Sequence, residues 1–219
     1  GNTTAGALTV TRVNPPVEDH SAPTLAATLL ADTGRRADDG ITRDATITGT
    51  VSDDRGVTRL RAGFGSDPAS FVDILDTLQA DGHFTLDMAR LAAINGGALP
   101  DGRYTLRLVA GDAAGNSSAV REVAFTLDTT PPAAPILDLV DTSDSGASTT
   151  DNLTRDTTPT LTLAAEDGSE IALLRDGTPA GAGLTGPSAE FTADPLTDGT
   201  YVFSASARDL AGNLSATGA

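Results

Sequence analysis

The chain has 219 residues, a formal net charge of −16, 25 Asp against 5 Glu, and 14 Arg with no Lys. No basic patch offsets that field, which argues against nucleic-acid binding, and the absence of Cys excludes disulfides and thiolate metal sites. Aromatic residues make up 4% of the chain and Trp is absent, so any core is thin, and no run of about 18 apolar residues offers a membrane-spanning helix.

In chain order, Gly1-Asn2 and then Ala7–Val13 read as a turn followed by the last strand of a preceding repeat. Residues 1–18 are thus expected to hold that strand plus a linker. A Pro-bearing linker, Asp19-His20-Ser21-Ala22-Pro23, opens a first repeat over 19–128. Ala45–Val51, Tyr104–Ala110 and Glu122–Leu127 alternate with period two and are predicted strands. Leu86–Asn95 is the single predicted helix, ended by Asn95-Gly96-Gly97. A second linker, Asp128-Thr129-Thr130-Pro131-Pro132, opens a second repeat over 129–219. Its predicted strands are Thr158–Leu163, Glu170–Arg175 and Thr200–Ala207. Asp81-Gly82 and Asp176-Gly177 carry the chemistry of hairpin turns.

Two motifs occur twice in the same order. Asp-[Thr/Ser]-Gly-x4-Asp-[Gly/Asn]-[Ile/Leu]-Thr-Arg-Asp spans Asp32–Asp44 and Asp144–Asp156. Asp-Gly-x-Tyr-x7-Asp-x-Ala-Gly-Asn spans Asp101–Asn116 and Asp198–Asn213. One domain type is therefore used twice. About seven short strands per ~100 residues argue for an all-β chain of tandem immunoglobulin-like β-sandwiches in an extended array. Tyr104 and Tyr201 stand where a Tyr closes the corner before the penultimate strand. Only six residues follow Asn213, so the second repeat is expected to lack its own last strand. Ala7–Val13 is expected either to supply that strand to a neighbouring molecule, in head-to-tail exchange, or to stay unpaired.

These residues resemble the bacterial immunoglobulin-like repeats of giant type I-secreted adhesins, the biofilm-associated and RTX class. The matching text is Asp128-Thr-Thr-Pro-Pro, Asp144-Ser-Gly through Asp151-Asn-Leu-Thr-Arg-Asp-Thr-Thr-Pro, Leu-Thr-Asp198-Gly-Thr-Tyr and Asp209-Leu-Ala-Gly-Asn213. The resemblance covers roughly 19–219. It implies extender repeats at the bacterial cell surface that hold a terminal binding domain outward in cell adhesion and biofilm formation. It also implies neighbouring repeats of the same polypeptide as partners, and calcium in loops and at domain junctions.

Calcium takes six to eight oxygens, and Asp in short loops supplies them. In such a sandwich, Asp32, Asp38, Asp39 and Asp101 fall at the trailing pole of the first repeat. Asp128, Glu166, Asp167, Asp209 and Asn213 fall at the leading pole of the second, facing them. Uncompensated, these carboxylates repel; a divalent cation would reverse the sign. At the free ends, Asp53, Asp54, Asp112 and Asn116 form one candidate site, and Asp144, Asp151, Asn152 and Asp198 another. The array would then be stiff outside the cell, where calcium modules typically bind at about 10⁻⁴–10⁻³ M, and loose inside.

Simpler readings stand beside this one. Asp-x-Ala-Gly-Asn also fits a tight turn. Asp44 and Asp156 also fit pairing with Arg or capping of a strand. Asp-Gly before Tyr also fits a plain turn. Segment 61–99 of the first repeat is longer than its counterpart and carries Phe64, Phe71, Phe84 and Met88. These residues extend the core or form a glycan- or peptide-binding surface. Catalysis is not expected: Asp32-Thr33-Gly34 resembles an aspartic-protease signature, but its counterpart is a plain repeat loop, and His20 and His83 sit in a linker and after a turn.

Overall fold

The computed structural model describes Thr11 and residues 18–218. The strand expected at Ala7–Val13 therefore lies, Thr11 apart, outside the described residues.

The first repeat is built from β1 (Thr24–Leu29), β2 (Ile41–Thr42), β3 (Ile47–Ser52), β4 (Val57–Gly63), β5 (Val72–Asp73), β6 (His83–Leu86), α1 (Met88–Asn95), β7 (Gly102–Asp112) and β8 (Arg121–Leu127). One sheet runs β1-β3-β6 and the other β2-β8-β7-β4-β5. All pairs are antiparallel except β2 with β8, where Ile41 and Thr42 lie beside Thr126 and Leu127. Alternation decides which side chains turn inward: in β3, Ile47, Gly49 and Val51 are buried between more exposed threonines. Helix α1 starts where the Asp87 carboxylate accepts the Arg90 N–H, and it buries Leu91 and Ile94.

The second repeat repeats the plan with β9 (Ile136–Leu139), β10 (Thr160–Ala164), β11 (Glu170–Arg175), β12 (Thr178–Pro179), β13 (Leu184–Thr185), β14 (Ser188–Thr192) and β15 (Phe203–Arg208). One sheet runs β14-β10-β9 and the other carries β12 and β13 on one edge of β11 and β15 on the opposite side. The hairpin at Asp176-Gly177 forms between β11 and β12, with both residues at positive φ. Asp81-Gly82 differs: it closes a turn across Gln79 and His83 and leads into β6, with no strand directly before it. The strand expected from Thr200 begins at Phe203, where pairing with Arg175 of β11 starts; Tyr201 closes the corner before it. Its hydroxyl donates to the Thr197 carbonyl at 3.1 Å, as Tyr104 donates to Pro100 at 2.6 Å.

The cores differ in size. In the first repeat, aliphatic and aromatic residues from both sheets and α1 form one cluster that includes Ile47, Leu60, Phe84, Leu91, Leu106, Phe125 and Leu127. The fully buried cluster of the second is Leu163, Ile171, Leu173 and Ala205. Segment 61–99 accounts for part of the surplus. Phe71 and Phe84 are buried, and Phe64 and Met88 pack half-buried against the cluster. Full burial of a side chain such as that of Phe71 or Phe84 stabilises the fold by about 1.5–3 kcal/mol. Phe71 and Phe84 therefore enlarge the sandwich, while Phe64 and Met88 keep part of their surface exposed.

Candidate metal sites and the junction between the repeats

At the leading pole of the first repeat, carboxylate oxygens of Asp19, Asp53 and Asp54 lie within 4.8 Å of one another. Among the described residues this is the one place where three acidic groups approach so closely. Asp19 comes from the linker, and Asp53 and Asp54 come from the turn between β3 and β4. The Asp19 side chain is 7% exposed. Its Oδ1 accepts the Ser21 N–H at 3.0 Å, and Arg55 Nε lies 3.9 Å from Oδ2. Asp53 Oδ1 accepts the Arg55 N–H at 2.9 Å, whereas its Oδ2 is buried without a hydrogen-bond partner. Ser21, Thr24 and Ser52 join Asp53 and Asp54 around an adjoining cavity of about 360 Å³. Each pair of charges about 4 Å apart costs roughly 1 kcal/mol even at the dielectric of water, so a hard divalent cation fits this donor set. Asp19 is the member of this cluster that the sequence reading missed. The signal was present, because Asp19 holds the linker position that Asp128 holds in the second repeat.

Asp112 and Asn116 play a different part at this pole. Asp112 Oδ1 accepts the Gly115 and Asn116 N–H groups at 2.7 and 2.8 Å, and Oδ2 accepts the Asn116 amide at 2.7 Å. The same amide donates to the Asp19 carbonyl at 3.1 Å. Burial works against the Asp112 charge, but the Asn116 side-chain and backbone donors outweigh it and hold the carboxyl below its ordinary pKa. Asp209 and Asn213 repeat the arrangement, with Asn213 donating to the Asp128 carbonyl at 2.9 Å. The motif is a self-satisfied turn whose Asn ties down the linker.

The loops that carry Asp32 and Asp144 are alike. Asp32 Oδ2 accepts the Gly40 N–H at 2.8 Å, and Asp144 Oδ2 accepts the Asn152 N–H at 3.2 Å. Gly40 and Asn152 both have positive φ, which explains the Gly/Asn choice there. Asp39 and Asp151 each accept the N–H two residues on. In both loops the remaining oxygen, Oδ1 of Asp32 and of Asp144, is buried without a hydrogen-bond partner. Asp144 is 1% exposed. A buried carboxylate oxygen left unpaired is costly, and its recurrence at equivalent positions fits a cation ligand. Asp38, Asp54, Asp151 and Asp198 are exposed. Asp44 and Asp156 each accept the N–H and hydroxyl of a Thr two residues on, Thr46 and Thr158, and so cap the strand that follows.

Between the repeats, the expected face-off of carboxylates is largely replaced by other contacts. Asp101 holds the linker: its Oδ1 accepts the Thr129 N–H and hydroxyl at 2.9 and 2.8 Å, and its Oδ2 accepts the Thr130 hydroxyl at 2.6 Å. The Thr130 hydroxyl first, then the two Thr129 donors, keep the Asp101 pKa below its ordinary value. Asp128 Oδ1 accepts the Thr130 N–H. Across the junction, arginines meet carbonyls: Arg35 on Gly168 at 2.9 Å, Arg43 on Gly212 at 3.0 Å and Arg208 on Thr33 at 3.2 Å. The Thr33 hydroxyl donates to the Ala211 carbonyl at 2.8 Å. The backbones meet closely at two glycines. A side chain on Gly34 would strike the Leu210 carbonyl, and one on Gly212 would strike that of Thr33. Asp167 and Glu166 are exposed at this pole. These arginine contacts were hidden in the sequence, since the partners lie 133 to 175 residues apart.

A search of curated proteins finds no match. Among solved structures, the chain is similar to the fibronectin(III)-like modules of CbhA from Clostridium thermocellum, with 20% identity and a TM-score of 0.42 over 89% of this chain and 90% of that one. It is also similar to an I-band fragment of titin, with 10% identity and a TM-score of 0.45 over 91% and 66% of the two chains. The family model described as bacterial Ig-like domain matches residues 19–129 and again 130–219. The chain therefore belongs to the bacterial Ig-like domain family, represented here by two tandem β-sandwich repeats.

Proposed function

We propose that the two repeats are extender units of a bacterial surface adhesin, working outside the cell in adhesion and biofilm formation. Their role is mechanical, not catalytic: to space a terminal binding domain from the surface and to resist bending and unfolding. Calcium supplies part of the stiffness, and the repeats divide after Asp128.

The observation that carries the calcium reading is the unpaired, buried Oδ1 of Asp32 and of Asp144 at the same loop position in both repeats. The Asp19, Asp53 and Asp54 cluster supports it. In this reading Asp32 and Asp144 each anchor an ion in their own loop, and the three clustered carboxylates hold another beside the linker. The cation would supply the positive charge that these oxygens lack, ordering the poles without any chemical step. Head-to-tail strand exchange through Ala7–Val13 belongs to the same reading.

Limited proteolysis tests it. In millimolar calcium the chain should resist cleavage in 32–44 and 144–156 far longer than in excess EDTA, with magnesium unable to substitute. Equal lifetimes in calcium and EDTA would contradict the calcium reading.

A further inference from the structure

Four arginines converge on one outer face of the first repeat. In β4 and β7, Leu60, Ala62, Leu106, Leu108 and Ala110 turn inward and are buried. Alternation therefore sends Arg59, Arg61, Arg103 and Arg107 to the other side of the sheet. Register lines them up: Arg59 stands opposite Gly111, Arg61 opposite Val109 and Arg107 opposite Gly63. Gly111 leaves room for the first of these, since a Cβ there would come 2.7 Å from Arg59 Nη2. Counted along β7, the four positions are two to four residues apart, roughly 7–14 Å, and together span about 27 Å. The sequence has no basic run here, because the convergence comes from pairing between strands more than forty residues apart.

Their charge is poorly compensated. Among the described residues, arginine pairs with a carboxylate at Arg55 with Asp19, Arg90 with Asp76 and Arg107 with Glu122. Arg61 donates to the carbonyls of Ala69 and Phe71, and Arg59 to the Ser117 hydroxyl at 3.2 Å. These acceptors are neutral and leave the charge in place. Arg103 is exposed and enters none of the ion pairs. The outer positions of β5 and β8 add two carboxylates, Asp73 and Glu122. Asp73 stands opposite Arg61, but its Oδ1 accepts the Leu75 N–H at 2.8 Å.

The fold itself does not require these arginines. With Asp112 set against Asp209, Glu170, Ala172, Thr200 and Ser204 of the second repeat take the places of Arg59, Arg61, Arg103 and Arg107. Arg208, at the place of Gly111, is turned to the junction, where it donates to the Thr33 carbonyl.

We propose that this face binds a linear polysaccharide bearing carboxylates. The proposal goes beyond the spacer reading and does not rest on calcium. An open sheet surface suits an extended polymer better than a small molecule, which needs a concave site. Between the arginines stand Thr105, Val109, Ala124 and Thr126, which offer no aromatic anchor of the kind that protein partners depend on. Carboxylates spaced along a polymer suit guanidinium forks, which grip them bidentately. Nucleic acid presents a phosphate about every 3.4 Å of each strand, denser than this spacing of arginines answers. The net charge of −16 opposes the contact only weakly, because the field decays over about 8 Å at physiological ionic strength.

Biolayer interferometry of the immobilised full chain against polygalacturonate tests this, in EDTA to prevent calcium bridging, with dextran as the uncharged control. The expected result is binding to polygalacturonate that weakens as salt rises, and none to dextran. Arg59→Glu with Arg103→Thr gives two exposed positions the residues of the second repeat and should weaken binding at least about tenfold. Arg103→Thr alone, at a side chain outside every ion pair, should weaken it about threefold with an unchanged melting temperature, which guards against misfolding of the double variant. Arg155→Ser removes an exposed charge from the second repeat and should leave binding unchanged. No binding to polygalacturonate, binding unaffected by the double variant, or an equal loss in Arg155→Ser overturns the proposal. So does a tighter hold on a single-stranded oligonucleotide than on polygalacturonate, which would make the face a nucleic-acid site.

Discussion

The two repeats share one plan yet bury very different cores. In the first, β8 closes the sandwich with Val123, Phe125 and Leu127, and segment 61–99 adds Phe71, Ile74, Phe84 and Leu91. In the second, the buried cluster is Leu163, Ile171, Leu173 and Ala205, and Val202 and Phe203 line an open apolar groove. The difference teaches how much of the first core comes from segment 61–99, whose counterpart in the second repeat is shorter. Alternation places apolar side chains on the inner face, but a closing partner is needed to take them out of water. The repeats therefore differ in what stabilises them. The first buries more apolar side chains than the described part of the second.

The sharpest way to break this comparison is to empty matching positions. Phe125→Ala removes a buried ring stacked 5.6 Å from Tyr104, and about 3–5 kcal/mol of stability should be lost in urea unfolding. Phe203→Ala, half-buried beside the groove, should cost clearly less. Equal losses would mean that the two cores are equivalent.

The junction gives the next effect. Gly34→Val forces a side chain against the Leu210 backbone carbonyl, an overpacking cost of typically 1–3 kcal/mol. It should uncouple the repeats, read as separate rotational correlation times by NMR relaxation. Gly146→Val, at the same place in the second repeat, meets its own loop at Leu153 and Asp151 and should leave that coupling unchanged. Identical relaxation in both variants would remove the junction from the account.

The smallest effect concerns acid. The folded-state pKa of Asp101 lies below the ordinary 3.8, chiefly through the Thr130 hydroxyl. Its contribution is therefore present above pH 3.8 and is lost as pH falls through the lowered value. Asp101→Asn should flatten the dependence of melting temperature on pH below about 4. An unchanged slope would mean that the linker clasp contributes nothing.

Much of this was legible in the sequence because it is local. The paired motifs, the period-two strands, the tyrosine corners and the body of the helix depend on residues a few positions apart, although the helix starts at Met88, after an Asp87 cap that read as a solvated residue. The function of the Asp-x-Ala-Gly-Asn turn was half legible: its own hydrogen bonds are local, whereas the tie from Asn116 to Asp19 spans 97 residues. Arg35, Arg43 and Arg208 were not legible, because only the meeting of two poles sets a guanidinium on a distant carbonyl. Asp19 was overlooked as a member of the acidic cluster because it lies in a linker, and its partners come from a turn more than thirty residues away.

Thermal unfolding in 10 mM calcium and in excess EDTA, with magnesium as control, tests the central claim most directly. The wild-type chain should gain stability from calcium, roughly 2.7 kcal/mol for each site at a hundredfold excess over Kd, and Asp32→Asn with Asp144→Asn should lose most of that gain. A melting temperature indifferent to calcium, or a gain unchanged in the double variant, would contradict the account and leave these loops as hydrogen-bonded turns alone.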